Sequence, residues 1–180
     1  MLTRAVFCDI LKCRGFFSCE DHKKLNCQVT SLIDRPFLDI PGEDAKEDKC
    51  MAELDNPKIQ KILRSREFAH LATIGPDGAP QSTPMWFLWD GEYIKFTHTT
   101  TRQKYRNIQR DPRVAVSIID ADDPYTAAEF RGRVERIEPD PTGAFYDILA
   151  QHYEVPWRYR GDPRVILYMK IERITGQNLE

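Results

Sequence analysis

The feature that most restricts the fold of this chain is a series of short strand-like segments separated by turn signals, which begins after Met51. The sequence GPDG at 75–78 has turn chemistry, and DG at 90–91 is the signal of a two-residue hairpin. The pattern predicts six strands, at residues 68–74, 80–89, 92–97, 113–120, 127–137 and 164–174. Hairpin-linked strands pair antiparallel, and closing the sheet removes its exposed edges. We therefore expect a mainly β fold with short helices, built on a six-stranded antiparallel barrel.

Three short helices are predicted around these strands. Asn56 and Pro57 supply an N-cap and a first-turn proline for a helix that ends near residue 66. Residues 142–153 place apolar side chains at helical spacing and predict a second helix. The third predicted helix is basic and ends at Asp111, because a residue that precedes proline disfavours the helical conformation.

The first fifty residues differ from the rest of the chain. They contain all five cysteines but no C-x-x-C pair, so neither a zinc site nor a disulfide framework is favoured. Residues 46–48, Lys-Glu-Asp, can be encoded by a bacterial ribosome-binding sequence at a suitable distance before the codon of Met51. We expect residues 1–50 to be a disordered extension or a mis-called start, and residues 51–180 to form the folded domain.

Length and charge restrict the class of protein. The chain has 180 residues, enough for one domain with a hydrophobic core, and a formal net charge of −2. A protein whose main partner is nucleic acid normally carries a clear basic excess. The chain also has no apolar run near the ~18 residues of a membrane helix, and it lacks the pattern of a secretory signal. We expect a cytoplasmic protein that binds neither nucleic acid nor membranes.

Residues 96–114, FTHTTTRQKYRNIQRDPRV, combine a strand end, a hydroxyl-rich turn and the basic helix. A threonine of the turn can cap the helix, whose first N–H groups and dipole attract anions. Arg102 and Lys104 follow the turn directly, so the segment has the composition of a cradle for a phosphate-bearing ligand. The alternative is an amphipathic helix with ordinary solvent-exposed arginines, which the pattern alone does not exclude.

The chain contains none of the common catalytic motifs. It has no G-x-S-x-G, P-loop, H-E-x-x-H or G-x-G-x-x-G sequence, and its histidines are not at metal-ligand spacing. In cofactor enzymes the cofactor carries the difficult chemistry, and the protein supplies binding and orientation. This absence therefore agrees with a cofactor-dependent reaction.

Four motifs occur in a specific order after residue 70: L-A-T-x-x-x-D-G-x-P-Q at 71–81, D-G at 90–91, R-x-K-x-R-N at 102–107 and D-P-R-V at 111–114. In these motifs the chain resembles the split β-barrel superfamily of pyridoxamine 5'-phosphate oxidase-like proteins, and most closely its branch that uses the deazaflavin coenzyme F420. The resemblance covers about residues 57–174. It implies a homodimer and an F420-dependent oxidoreductase that transfers hydride between the deazaflavin and a small unsaturated or quinone-like substrate.

The resemblance also implies which residues bind the cofactor. Its phosphate would be held by the strand end and the basic helix, at Thr97, His98, Arg102 and Lys104, with Arg106 and Asn107 behind them. The ring would lie against the second strand, at Gln81, Ser82, Thr83, Pro84, Met85 and Trp86, and Tyr125 of the partner subunit would cover it. Relatives usually carry bulky residues where this chain has Ala127 and Ala128, a difference that bears on the substrate side of the groove.

Three alternatives accompany this interpretation. FMN is the alternative cofactor, and an FMN-dependent pyridoxamine-phosphate-oxidase-like enzyme is the corresponding alternative activity. A non-catalytic protein that binds F420, FMN or a tetrapyrrole would use the same barrel. F420 is favoured because its acidic tail profits from the additional cations along the basic helix. No residue is assigned to the chemical step, and no metal is expected.

The position of the first residue can be measured. If translation begins at Met51, the native protein will have the mass of residues 51–180. Intact-mass spectrometry of the protein purified from its own organism gives this mass directly. A product that includes residues 1–50 would contradict the hypothesis.

Overall fold

A computed structural model of the protein describes residues 52–180. The expectations for residues 1–50, and for a start at Met51, lie outside the described residues. The described elements follow in chain order: α1 Pro57–Leu63, β1 Ala69–Ile74, β2 Pro80–Met85, β3 Leu88–Trp89, β4 Tyr93–Thr99, α2 Gln103–Arg110, β5 Arg113–Ile119, β6 Ala127–Pro139, α3 Ala144–His152 and β7 Arg164–Gln177.

The seven strands form one antiparallel sheet in the order β2-β1-β5-β6-β7-β4-β3. Its two edge strands, β2 and β3, are joined by Trp86 and Phe87 alone. Because each residue spans at most ~3.6 Å, this connection can exist only if the sheet curls until its edges lie close together. The predicted antiparallel split barrel is therefore confirmed.

The predicted strand at 80–89 is divided into two strands on opposite edges of the sheet. β2 pairs with β1 and β3 pairs with β4. Phe87 separates them because its side chain is fully buried in the core and its N–H donates to the Tyr153 hydroxyl at 3.2 Å instead of to a neighbouring strand. Pro84 fits in β2, since an edge strand has backbone positions that need no N–H donor.

The core fills the interior of the curled sheet. Helix α1 contributes Ile59, Ile62 and Leu63. Asn56 caps this helix by accepting a hydrogen bond from the Lys58 N–H at 2.8 Å, as its sequence predicts. The strands supply most of the remaining fully buried side chains, which include Leu71, Ile94, Phe96, Val116, Ile118, Phe130, Leu167 and Met169.

Strands β6 and β7 are the longest and carry two register shifts, one of them between Arg131 and Gly132. Neither a helix of residues 52–180 nor any part of one is both long and apolar enough to cross a membrane. Helices α1, α2 and α3 are short, and each connects or precedes strands of the same sheet.

At the register shift between Arg131 and Gly132, the backbone of β7 leaves no room for a side chain at Gly132. A Cβ atom at Gly132 would lie 1.9 Å from the backbone oxygen of Lys170 in β7. We predict that Gly132→Ala lowers the free energy of unfolding by about 3 kcal/mol, because β6 and β7 must separate locally. Urea-induced unfolding of the variant and of wild type measures this difference in the free energy of unfolding.

Gly78→Asn is the matched control for that variant. Gly78 has a φ of +81° and open space around its Cβ position, and asparagine tolerates this conformation. The control is expected to unfold close to wild type. Equal stability of Gly132→Ala and wild type would show that the strands adjust to the side chain without cost.

Candidate functional site

An open cleft of about 330 Å³ lies beside the connection between β2 and β3. Its walls come from the end of β2, the end of β4, the start of α2, helix α3 with the segment that follows it, and the start of β7. The lining residues are Phe68, Thr83, Pro84, Met85, Trp86, Thr97, His98, Thr99, Arg102, Tyr146, Trp157 and Arg164.

One half of the cleft is cationic. Strand β4 presents Thr97, His98 and Thr99, and Arg102 stands at the N-cap of α2. Arg164 joins them because β4 pairs antiparallel with β7, in a register that sets Thr99 opposite Arg164. The Arg164 Nη1 donates to the Thr97 hydroxyl at 3.3 Å. Two strands distant in sequence therefore supply one polar surface.

Two polar atoms in this half have no partner. The His98 Nε2 and the Arg164 Nε are the buried side-chain nitrogens or oxygens of residues 52–180 that make no hydrogen bond. The His98 side chain is almost completely buried, with 7% of the residue exposed. Buried polar atoms are normally paired, so two unpaired atoms in residues that line one cleft make its polar half a candidate binding region.

The imidazole of His98 is neutral at physiological pH. Burial, together with the smaller effect of the positive charges of Lys104, Arg102 and Arg164, lowers its pKa to about 4. The His98 ring therefore leaves the positive charge of the cleft to the lysine and arginines. One of its nitrogens is available to accept or donate a hydrogen bond, depending on the tautomer.

Lys104 lies beneath β2 and is buried, with 4% of the residue exposed. Its Nζ donates to the Leu71 carbonyl oxygen at 3.0 Å, to the Thr83 hydroxyl, and to the Met85 sulfur at 3.5 Å. Burial lowers the pKa of Lys104 to about 8, and none of its contacts within residues 52–180 is a carboxylate. The lysine thus places a charge without a counter-ion under the strand that forms the floor of the cleft.

Asn107 has a structural position. It is fully buried, and its Nδ2 donates to Thr73 Oγ1 and to Gln81 Oε1, both at 3.1 Å. These bonds join α2 to β1 and β2. Gln81 is therefore hydrogen-bonded to Asn107, and neither residue lines the cleft. Arg106 is exposed on α2, where its Nε donates to Gln103 Oε1 at 3.2 Å.

The predicted threonine cap of the basic helix is wrong. Helix α2 has Arg102 at its N-cap, and no side chain caps it. The hydroxyls bind elsewhere, because Thr100 Oγ1 donates to the Pro163 carbonyl oxygen at 3.4 Å and Thr97 Oγ1 accepts from Arg164. The turn threonines thus tie the start of α2 to the segment before β7.

The other half of the cleft is aromatic. The Trp86 ring stacks on Tyr153 and on Trp157, with centroids 5.3 Å apart in each pair, and approaches Tyr146 at 5.9 Å. The Arg164 guanidinium lies 4.2 Å from the centre of the Tyr146 ring, and so connects the aromatic half to the cationic half.

The structure brings seven of the thirteen predicted binding residues to the cleft lining: Thr83, Pro84, Met85, Trp86, Thr97, His98 and Arg102. Lys104 contacts this lining from beneath. Ser82 is exposed on β2, and Tyr125, 77% exposed, lies in the β5–β6 connection outside the cleft. Ala127 and Ala128 begin β6, away from the cleft, and Ala128 is buried.

Sequence reasoning missed five lining residues: Phe68, Thr99, Tyr146, Trp157 and Arg164. Trp157 was the most predictable of these five, since a large aromatic side chain in a loop is expected either to be buried or to take part in binding. No group of three or more metal-ligating side chains is present within residues 52–180.

The buried neutral histidine makes stability depend on pH. In the unfolded chain His98 binds a proton near its ordinary pKa of 6.5, whereas the folded protein resists protonation down to about 4. The native state is therefore fully stable above pH 6.5 and loses stability as the pH falls towards 4. We predict that the free energy of unfolding is about 2 kcal/mol lower at pH 5 than at pH 7.5 through this residue.

Urea unfolding of wild type and His98→Gln at both pH values tests this effect. Glutamine retains hydrogen-bonding groups but does not titrate, so the variant is expected to lose most of the change. The same pH dependence in both proteins would show that His98 is not its source.

The chain is similar to known proteins in both sequence and fold. A family model described as pyridoxamine 5'-phosphate oxidase matches residues 56–178. A solved structure named F420 reductase is 50% identical, with a TM-score of 0.63, and the match covers 64% of this chain and 94% of that one. A conserved hypothetical protein from Mycobacterium tuberculosis is 27% identical, with a TM-score of 0.56 and coverage of 68% and 84%.

General stress protein 26 from Bacillus anthracis shares the fold at 22% identity, with a TM-score of 0.56 and coverage of 71% of this chain and 96% of that one. These matches confirm the resemblance inferred from the four sequence motifs. The chain belongs to the pyridoxamine 5'-phosphate oxidase family of split β-barrel proteins.

Proposed function

We propose that the protein is an F420-dependent oxidoreductase that acts as a homodimer on a small unsaturated or quinone-like substrate. The observation that carries this proposal is the pair of unpartnered buried atoms, His98 Nε2 and Arg164 Nε, in a cationic cleft. Such a cleft suits a ligand with an anionic group next to an extended apolar part. The 50% identical F420 reductase supports F420 as that ligand.

The polar half of the cleft fits a phosphate. Arg102 and Arg164 supply charge, Thr97 and Thr99 supply hydroxyls, and His98 supplies a neutral ring nitrogen. Within residues 52–180, the acid paired with these groups is Asp162, whose Oδ2 lies 3.9 Å from Arg164 Nη2. Positive charge therefore exceeds negative charge at the lining, and a bound phosphate would restore the balance.

The floor of the cleft fits a flat ring. Strand β2 is exposed at its first five positions, and Pro84 presents no N–H at the surface. Beneath it, Lys104 holds a positive charge against Thr83, so the floor stabilises electron density on a ring above it. When bound, F420 would supply hydride from its deazaflavin C5, and this chain would supply orientation, charge and exclusion of water.

The proposed dimer accounts for two exposed features. The edge strand β2 presents Gln81, Ser82 and Thr83 to solvent, and exposed edges are normally covered by another chain or element. Tyr125 is the most exposed of the large apolar side chains in residues 52–180. In the proposed assembly, Tyr125 of one subunit covers the ring bound by the other.

The charges beyond the cleft favour F420 over FMN. Helix α2 continues with Arg106 and Arg110, which are both exposed. The acidic tail of F420 can run along these arginines, whereas FMN ends at its phosphate. FMN would bind the same half of the cleft without using them.

Equilibrium titration with F420 and FMN tests the cofactor. We predict salt-sensitive binding of F420 that is at least about tenfold tighter than that of FMN. Arg164→Gln is expected to weaken F420 binding by about 1.5–3 kcal/mol, the scale of a charge-assisted hydrogen bond. Ultrafiltration with absorbance detection measures both quantities.

Arg131→Gln is the control. Arg131 is exposed on β6, where it pairs with Glu129, and it lies outside the cleft. This variant is expected to bind F420 like wild type. Tighter binding of FMN than F420 would make the protein a flavin enzyme of the same family, and binding of neither would refute the proposed activity.

A further inference from the structure

The aromatic half of the cleft forms a continuous series of ring contacts. Phe68 approaches Tyr153 at 5.9 Å, Tyr153 stacks on Trp86 at 5.3 Å, and Trp86 stacks on Trp157 at 5.3 Å. The two ends of the series are open to solvent, since Phe68 is 51% exposed and Trp157 is 57% exposed. Exposed aromatic surface at the rim of a cleft is typical of a binding site.

The inner part of this series is held rigidly. The Tyr153 hydroxyl donates to the Glu67 carbonyl oxygen at 3.0 Å and accepts from the Phe87 N–H at 3.2 Å. Trp86 is fixed because it begins the two-residue connection between the edges of the barrel. The position of the Trp86 ring is therefore fixed before any ligand binds, which lowers the entropic cost of binding.

Trp157 is held differently. It follows Pro156 in the segment between α3 and β7, and its indole makes no hydrogen bond within residues 52–180. The segment itself is fixed on both sides of Trp157: the Val155 N–H donates to the Ala150 carbonyl oxygen at 3.0 Å, and the Tyr159 N–H donates to Asp147 Oδ1 at 3.1 Å. The backbone thus positions the indole at the rim, while the ring is kept there by stacking alone.

A cation ends the aromatic wall. The Arg164 guanidinium stacks over Tyr146 at 4.2 Å. A ligand that lies against the rings therefore meets positive charge at its inner end. This combination fits a flat conjugated ring that carries a carbonyl or carboxylate oxygen.

We propose that Trp86, Tyr146 and Trp157 form a stacking subsite for a planar, conjugated ring of the substrate, with the positive charge of Arg164 near its inner end. The inference rests on the proposed function, because it names the substrate class of the same cleft. Trp157 determines specificity, since it is the exposed outer ring of the wall. Planar bicyclic acceptors are favoured over open-chain or saturated compounds that carry the same oxygen substituent.

The test uses 2-naphthoate, a planar bicyclic carboxylate, and cyclohexanecarboxylate, its saturated and non-planar counterpart. Each is titrated into the full-length protein with and without F420, and binding is followed by calorimetry. We expect 2-naphthoate to bind at least about tenfold tighter than cyclohexanecarboxylate. Trp157→Ala should remove most of this difference, and Trp157→Phe should restore much of it.

Ile119→Ala is the control for the loss of an exposed apolar side chain. Ile119 is the last residue of β5, is 48% exposed and does not line the cleft. The Ile119→Ala variant should bind both carboxylates like wild type. With reduced F420, a naphthoquinone should show an about tenfold higher KM in Trp157→Ala, with a smaller change in kcat and little change for an open-chain enone.

The outcomes separate the two proposals. Equal affinity of wild type and Trp157→Ala for 2-naphthoate overturns the stacking subsite, whether or not F420 binds. Displacement of F420 by 2-naphthoate also overturns it, because the rings would then belong to the cofactor site. If F420 does not bind but 2-naphthoate still binds through Trp157, the subsite stands and the proposed F420 activity fails.

Discussion

The rest of the structure depends on the connection of Trp86 and Phe87 between the two edges of the sheet. Phe87 is buried in the core, and its N–H is received by the Tyr153 hydroxyl at 3.2 Å. The same hydroxyl donates to the Glu67 carbonyl oxygen, so a single side chain of the α3 C-cap connects the entry to β1 with the point where the barrel closes. Because Trp86 lies in this connection, barrel closure also builds one wall of the cleft.

The cleft divides into halves of opposite chemistry that share Arg164. The cationic half keeps its charge on arginines and a buried lysine, since burial and these charges hold His98 neutral. The aromatic half consists of stacked and tilted rings. Arg164 contacts Thr97 on one side and the Tyr146 ring on the other. A ligand with an anionic group and an extended conjugated part therefore finds both of its parts matched in one cleft.

Local segments of the site were predictable, and long-range pairing was not. Thr97, His98 and Arg102 lie within six residues of each other, so one turn brings them together. Arg164 reaches them only through the register of β4 with β7, which residue pattern does not specify. Apolar residues continue past Met85, so one strand was predicted at 80–89, whereas pairing divides it between two edges. The sequence also does not show that the Lys104 side chain faces β1 and β2, where its Nζ donates to Leu71 and Thr83.

The different anchoring of Trp86 and Trp157 has an evolutionary consequence. A substitution at Trp86 acts on both edge strands, so ligand preference cannot change there without a cost in folding. Trp157 stands on a loop whose backbone is fixed by Ala150 and Asp147 and not by the indole. The same barrel can therefore acquire new ligand preferences by exchange of the Trp157 side chain. Trp86 is retained meanwhile, because the closed sheet depends on it.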